Sequence, residues 1–254
     1  MFALISATLN SEASLETAIS SLGPVIDEVK HIVIDGGSTD RTMEILDEYR
    51  QRTSNIHVLK QKEKGLYQAL NEALAWILAD GGVSHIGFLH SDDRLLDAAY
   101  AGYLSAILAS DADVSYADIQ YHNASGDVVR VWRSGSFSRF KLNTGWMPPH
   151  TSVVAKRRVY ERYGLFDPRF GTAADYEWLV RVLSNRDISV YYHPERTVSM
   201  QTGGASNASF RSRLRANAMD GAVWADRSVL QASLIRLLKP ARKVGQFLGS
   251  TGAR

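Results

Sequence analysis

The chain has 254 residues, a formal net charge of +2, 45% hydrophobic residues and 22% charged residues. That composition fits a globular fold with an ample core and excludes a nucleic-acid polycation. The absence of cysteine excludes disulfides, thiolate metal sites and a cysteine nucleophile, and fits a reducing compartment.

No stretch reaches the roughly 18 apolar residues that span a bilayer. The apolar start, Phe2–Ala7, lacks a basic leader and reads as a buried strand, so a cytoplasmic location is expected. The next segment, Glu12–Leu22, has helical spacing and stops at Gly23-Pro24. His31–Ile34 is a second strand, Thr39–Tyr49 a helix capped by Ser38 or Thr39, and Ile56–Leu59 a third strand. Gly65–Ala79 is a helix and His85–Leu89 a fourth strand. Strand–helix repeats of this kind need crossovers, so the sheet is expected to be mostly parallel. Farther along, Val114–Tyr121 and Val128–Trp132 read as a hairpin around Asn123–Gly126. Thr151–Val154 is a strand, and helices follow near Lys156–Tyr163 and Ala173–Leu183. Ile188–Tyr192 is the last strand. The remaining residues read as helical, with a break at Pro240. The whole is one α/β domain with a C-terminal helical tail.

In an open parallel sheet, ligands bind beyond the carboxyl ends of the strands. Polar groups gather there. Thr8-Leu9-Asn10 follows the first strand, and Asp35-Gly36-Gly37-Ser38-Thr39-Asp40 the second. His90-Ser91-Asp92-Asp93 follows the fourth. The glycines of the second cluster let a backbone approach a ligand; a plain strand-to-helix turn is the competing reading. Adjacent carboxylates at a buried strand end repel each other, and a hard divalent cation relieves that repulsion. The competing reading is a cap for a helix beginning near Arg94. Asp175 lies at a helix start, where the dipole alone would favour it; a general base is the functional alternative. His150 precedes a strand, and Gln201–Ser206 is a glycine loop suited to an anion. Scattered histidines give no zinc spacing, and no Gly-x-Ser-x-Gly elbow is present.

Taken together, Ile5–Asn10, Ile32–Thr42, Gly65–Asn71, Phe88–Asp93, Met147–Thr151, Tyr163–Phe170 and Ala173–Arg181 resemble the family-2 inverting glycosyltransferases. The resemblance spans residue 2 to about residue 206. It implies the GT-A (nucleotide-diphospho-sugar transferase) fold over 1–206, with 207–254 as an extension. The variants of these motifs look most like transferases of bacterial exopolysaccharide and lipopolysaccharide assembly, including the colanic-acid type.

The resemblance also implies roles. Thr8, Asn10 and Asp35 would line the base pocket. Gly65, Asn71 and Ser91 would belong to the donor site, with Asp92, His150, Gly203 and Gly204. Asp93, with Asp92, would hold Mn²⁺ or Mg²⁺, Asp93 more directly. Asp175 would be the catalytic base. The donor would be a nucleoside-diphosphate sugar. Gly36 stands where many relatives carry an aspartate that contacts uracil, so UDP, GDP and dTDP stay open. A lipid-linked saccharide is the implied acceptor. No Gln-x-x-Arg-Trp sequence is present, which argues for a non-processive enzyme.

Charge is uneven, with +7 on residues 211–254 and −5 on the body. Ser228–Leu248 reads as a basic amphipathic segment on anionic membrane, placing the enzyme peripherally on the inner face. Packing on the body, or on a second subunit in a homodimer, is the competing reading. Two other functions compete, a sugar-phosphate nucleotidyltransferase and a non-catalytic nucleotide-sugar-binding protein.

Overall fold

Runs of branched and aromatic residues form the strands that carry the site. The computed structural model describes residues 1–202, 219, 221–224 and 235. Strands β1 (Phe2–Thr8), β2 (Val29–Asp35), β3 (Ile56–Lys60) and β4 (His85–Phe88) pair in parallel in the order β3-β2-β1-β4. Their register sets Thr8 beside Asp35 and Ile5 beside Phe88, so β1, β2 and β4 end on one edge.

The sheet continues through β8 (Val154–Lys156), β6 (Val114–His122), β9 (Val190–Gln201) and β5 (Arg94–Leu95), with β7 (Val128–Trp132) paired to β6. Here the pairing is mixed. β8 lies antiparallel to both β4 and β6, and β9 runs parallel to β6. The hairpin forms as expected. Gly126 adopts a φ of +87°, and the Asn123 carboxamide accepts the N–H groups of Ser125 and Asp127.

Alternate residues of each strand enter different cores. Ile5, Ile32 and Ile34 pack with Leu70 and Leu74 of α3 (Leu66–Ala79), Leu142 of α5 (Arg139–Asn143), Tyr160 of α6 (Arg157–Tyr163) and Trp178 of α7 (Ala174–Leu183). On the other side, Leu4 and Val33 pack with Leu15 of α1 (Leu15–Ser20), Leu46 of α2 (Thr42–Arg52) and Leu104 of α4 (Asp97–Ser110). Arg157 fastens the end of α3 by donating to the carbonyls of Leu78 and Asp80, which satisfies orphan acceptors of the last turn.

Several expectations shift. α2 begins at Thr42 rather than Thr39, because Ser38 and Thr39 bond to Asp35 and Asn10 instead of capping it. No helix starts at Arg94; that residue opens β5, which pairs with β9, so the capping reading of Asp92-Asp93 fails. The last strand runs to Gln201, far beyond Tyr192. Pro194 and Glu195 drop out of the ladder, where the pairing jumps from Ala117–His193 to Asp118–Arg196. Bulges tolerate proline, so a sequence that looks like a loop stays within a strand. Thr151 belongs to a 3₁₀ turn, His150–Ser152, and the strand starts only at Val154.

Of the segment 228–248, only Ile235 is among the described residues. It is fully buried and joins the cluster around α3 and α7, as do Val223 and Trp224. The remaining tail, and with it the expected amphipathic face, lies outside the described residues. Among those described, no helix is long and apolar enough to cross a membrane.

Candidate active site

The loops after β1 and β2 are tied to each other. The Asn10 backbone takes a φ of +50°, a conformation that asparagine tolerates better than most residues. Its carboxamide oxygen accepts the Thr39 N–H at 2.8 Å, and its own N–H donates to Ser38 Oγ at 2.9 Å. Asp35 is buried and accepts N–H groups from Gly37 at 2.9 Å and Ser38 at 3.0 Å. Glu12 and Asp40 close the arrangement reciprocally: each carboxylate takes one backbone N–H from the opposite loop. Thr8 Oγ1 is buried beside this loop pair with no hydrogen-bond partner.

Ser91 joins from β4, with its hydroxyl 3.0 Å from that of Ser11. Gly65 lies at the start of α3 with a φ of +125°, and its carbonyl accepts the Gln61 carboxamide at 2.8 Å. Asn71 is occupied differently from the rest. Its side chain donates to the Phe166 carbonyl at 2.8 Å and accepts the Phe166 N–H at 3.1 Å. It therefore latches α3 to the segment leading to α7. Gly203 and Gly204 lie outside the described residues.

The acid pair sits between β4 and β5. Asp93 is 3% exposed, and its Oδ2 has no hydrogen-bond partner. Burial, reinforced by the charge of Asp92, pushes its carboxyl well above the usual carboxylate range; the backbone N–H of Gln201 partly opposes that rise. It borders a pocket of about 340 Å³ lined also by Asp92, Ser14, Thr17, His122 and Gln201. A divalent cation would satisfy the unpartnered oxygen and offset the repulsion, so the pair fits such an ion. Among the described residues, no group of three or more His, Cys, Asp or Glu side chains is arranged to hold a metal ion by itself. The pair would thus supply part of a coordination shell, leaving the rest to phosphate oxygens and water.

Across the edge, His90 connects the acid pair to α7. Burial lowers its pKa, while Asp92 and Asp175 both act on it in the opposite sense. Asp175 lies in the first turn of α7 and accepts the Tyr176 N–H at 2.7 Å. His150 packs against Phe88 at 4.6 Å, Phe166 at 5.6 Å and His90 at 6.1 Å between ring centroids. Its Nε2 is buried without a partner. Desolvation, helped by His90, pushes its pKa down to about 3, so the ring is neutral near pH 7.

Sequence reasoning passed over His90, Phe166 and Trp224. His90 is visible only as the first residue of the polar run after the fourth strand, with no role assigned to it. Phe166 reaches His150 through packing that no local motif announces. Trp224 donates its indole N–H to the Tyr176 hydroxyl at 2.9 Å, across 48 positions.

The family model described as glycosyl transferase family 2 matches residues 4–165. A PGL/p-HBAD biosynthesis glycosyltransferase of Mycobacterium bovis is 25% identical over 212 residues, covering 82% of this chain and 79% of that protein. Chondroitin synthase of Pasteurella multocida is 24% identical over 64% of this chain but only 17% of its own length. Among solved structures, S. aureus TarS 1-349 in complex with UDP-GlcNAc superposes with a TM-score of 0.69 at 16% identity, covering 96% of this chain and 72% of that one. The mannosyltransferase PcManGT of Pyrobaculum calidifontis, in complex with GDP-Man and Mn²⁺, gives 0.66 at 14% identity, covering 100% and 76%. The chain spans 44% of a longer TarS chain.

Proposed function

Because the chain belongs to glycosyl transferase family 2, we propose that it moves a sugar from a nucleoside-diphosphate donor to an acceptor hydroxyl, with inversion at the anomeric carbon. What carries this reading is that the charges of Asp92 and Asp175 both act on His90. An acid pair suited to a cation and a separate carboxylate suited to a proton thus both act on one histidine.

Thr8, Asn10 and Asp35 would hold the nucleotide base, in loops already fixed by mutual hydrogen bonds. Asp92 and Asp93 would hold Mn²⁺ or Mg²⁺, which when bound stabilises the charge developing on the departing diphosphate. Asp175 would accept the proton of the acceptor hydroxyl as that oxygen bonds to the anomeric carbon and the sugar–phosphate bond breaks. Attack opposite the leaving group inverts the configuration. His150 Nε2, neutral and without a partner, would bond the donor phosphates or the acceptor. Gly65 and Ser91 shape the donor side, and Asn71 supports it through Phe166. The neighbours solved in complex with UDP-GlcNAc and GDP-Man support a nucleotide-sugar donor. A lipid-linked saccharide in surface polysaccharide synthesis is the acceptor class we propose, met from the cytoplasmic side by a non-processive catalytic unit at 1–206. The extension 207–254 would complete it.

Asp175→Asn tests the reading. Transfer should fall by about 10³-fold, the order expected for loss of a general base, while the thermal shift on adding UDP, GDP or dTDP with Mn²⁺ persists. Normal turnover in this variant would remove Asp175 from the chemistry.

A further inference from the structure

We propose that Trp224 is a positioning residue for the proton acceptor, acting through its indole bond to Tyr176 on the turn that carries Asp175. The inference rests on the reading of Asp175 as the base and adds what holds it in place.

The start of α7 has no capping side chain of its own. Its cap position is Ala173, which offers no side-chain hydrogen bond. The 3₁₀ segment just before it, Pro168–Ala173, is kinked at Gly171, with φ +51° and ψ −124°. A helix entered through a kink lacks the stabilisation that a capping side chain gives its first turn. Asp175 occupies that turn.

Support comes from far along the chain instead. Trp224 is 2% exposed and Tyr176 is 1% exposed. The indole N–H reaches the Tyr176 hydroxyl at 2.9 Å, and the Tyr176 backbone N–H reaches Asp175 Oδ1 at 2.7 Å. One short path therefore runs from indole to phenol to backbone to carboxylate. Met219 lies against the kink, where a Cβ on Gly171 would sit 3.8 Å from its terminal methyl. Val223 and Ile235 join the same apolar cluster as Tyr176 and Trp178. Apolar residues alone could fill this space. A buried indole is tolerated only when its N–H is paired, so it makes the packing directional. Fixing the Tyr176 ring fixes the backbone beside Asp175. Displacing a reacting group by about 1 Å can cost on the order of 10²-fold in rate.

Trp224→Phe and Tyr176→Phe, singly and together in the full chain, test the proposal. Each keeps an aromatic ring and deletes one side of the bond. Nucleoside diphosphate release from UDP-N-acetylglucosamine and from GDP-mannose gives kcat and donor KM. Crystal structures of the parent and Trp224→Phe give the Asp175 carboxylate position relative to Asp92. We expect kcat to fall about 10-fold in each single variant, with donor KM unchanged, given how steeply rate depends on alignment. The double variant should be no slower than the slower single, because both delete one interaction. The carboxylate should shift while Asp92 stays. An unmoved carboxylate, unchanged kcat, or losses that multiply in the double variant would each overturn the proposal. Asp175→Asn separates the two readings. If it turns over normally, the base assignment fails, whereas the carboxylate displacement still reports on the Trp224 contact.

Discussion

The two halves of the proposed site, its donor side and its chemical side, are built by different means. On the donor side, the loops after β1 and β2 are joined by reciprocal hydrogen bonds, and Asn10, Ser38, Thr39, Glu12 and Asp40 are all engaged. On the chemical side, His90, His150, Phe88 and Phe166 are assembled by ring packing, and polar atoms of Asp93 and His150 are left buried without partners. The loops of the first region are tied together before a ligand arrives, with Thr8 Oγ1 alone among the named groups left unpaired. The second carries an electrostatic deficit that a ligand can relieve. Binding and chemistry thus draw on opposite ends of the same trade between stability and function.

Replacing the acids probes that contrast most strongly. Asp92→Asn is expected to lower transfer by about 10²–10³-fold, the scale of losing one electrostatic stabiliser of the leaving group. Asp93→Asn should also abolish the rise in thermal midpoint on adding Mn²⁺. Because its carboxyl is buried and repelled by Asp92, the midpoint of this variant without cation should equal or exceed that of the parent. A fall in midpoint would mean that Asp93 stabilises the fold rather than awaiting a partner.

Acidification offers a second measure. His31 is 2% exposed, bonds Ser6 at 2.8 Å, and is pushed by burial from 6.5 down to about 4. Its folded pKa lies below its unfolded one, so the contribution is complete above pH 6.5 and is lost as the pH falls toward 4. The loss should reach about 3 kcal/mol by pH 4. Chemical denaturation between pH 7 and pH 4 would show it, and His31→Gln should flatten the curve.

The latch between α3 and the segment before α7 is smaller in scale. Asn71→Ala removes two hydrogen bonds to Phe166 and should cost about 2 kcal/mol, read from denaturant midpoints. It should also slow transfer more than it weakens nucleotide binding, since Phe166 supports His150. Smallest is Gly65→Ala, where a φ of +125° disfavours any side chain and a Cβ would meet the Gln68 carboxamide. About 1 kcal/mol is expected, with the Gln68 side chain moving aside. A larger loss confined to donor KM would show that this turn touches the donor.

The donor side is legible in the sequence because its parts are local. A strand, a polar cluster and a helix follow one another within a dozen residues, and the β1–β2 register brings two such clusters together. The adjacent acids are legible for the same reason. The chemical side depends on distant pairs. Asn71 meets Phe166 across 95 positions, and Trp224 meets Tyr176 across 48; no periodicity encodes either. β9 outruns its expected end because Pro194 looks like a breaker, whereas a bulge accommodates it. Ile235 belongs to the stripe that the sequence leaves open between lipid, the body and a second subunit, and it is buried against the body. An apolar stripe specifies that something covers it, but not what.

The pairing of β5 with β9 has a practical consequence. The Gln201 backbone N–H lowers the pKa of the Asp93 carboxyl, and the Thr202 N–H bonds the His122 carbonyl at 2.9 Å. A shortened polypeptide ending before residue 201 would remove this backbone N–H from the acid pair while sparing the side chains proposed for catalysis among residues 1–200. Domain boundaries drawn from side-chain motifs alone would therefore cut through a main-chain contributor, and any dissection of this enzyme should begin downstream of that point.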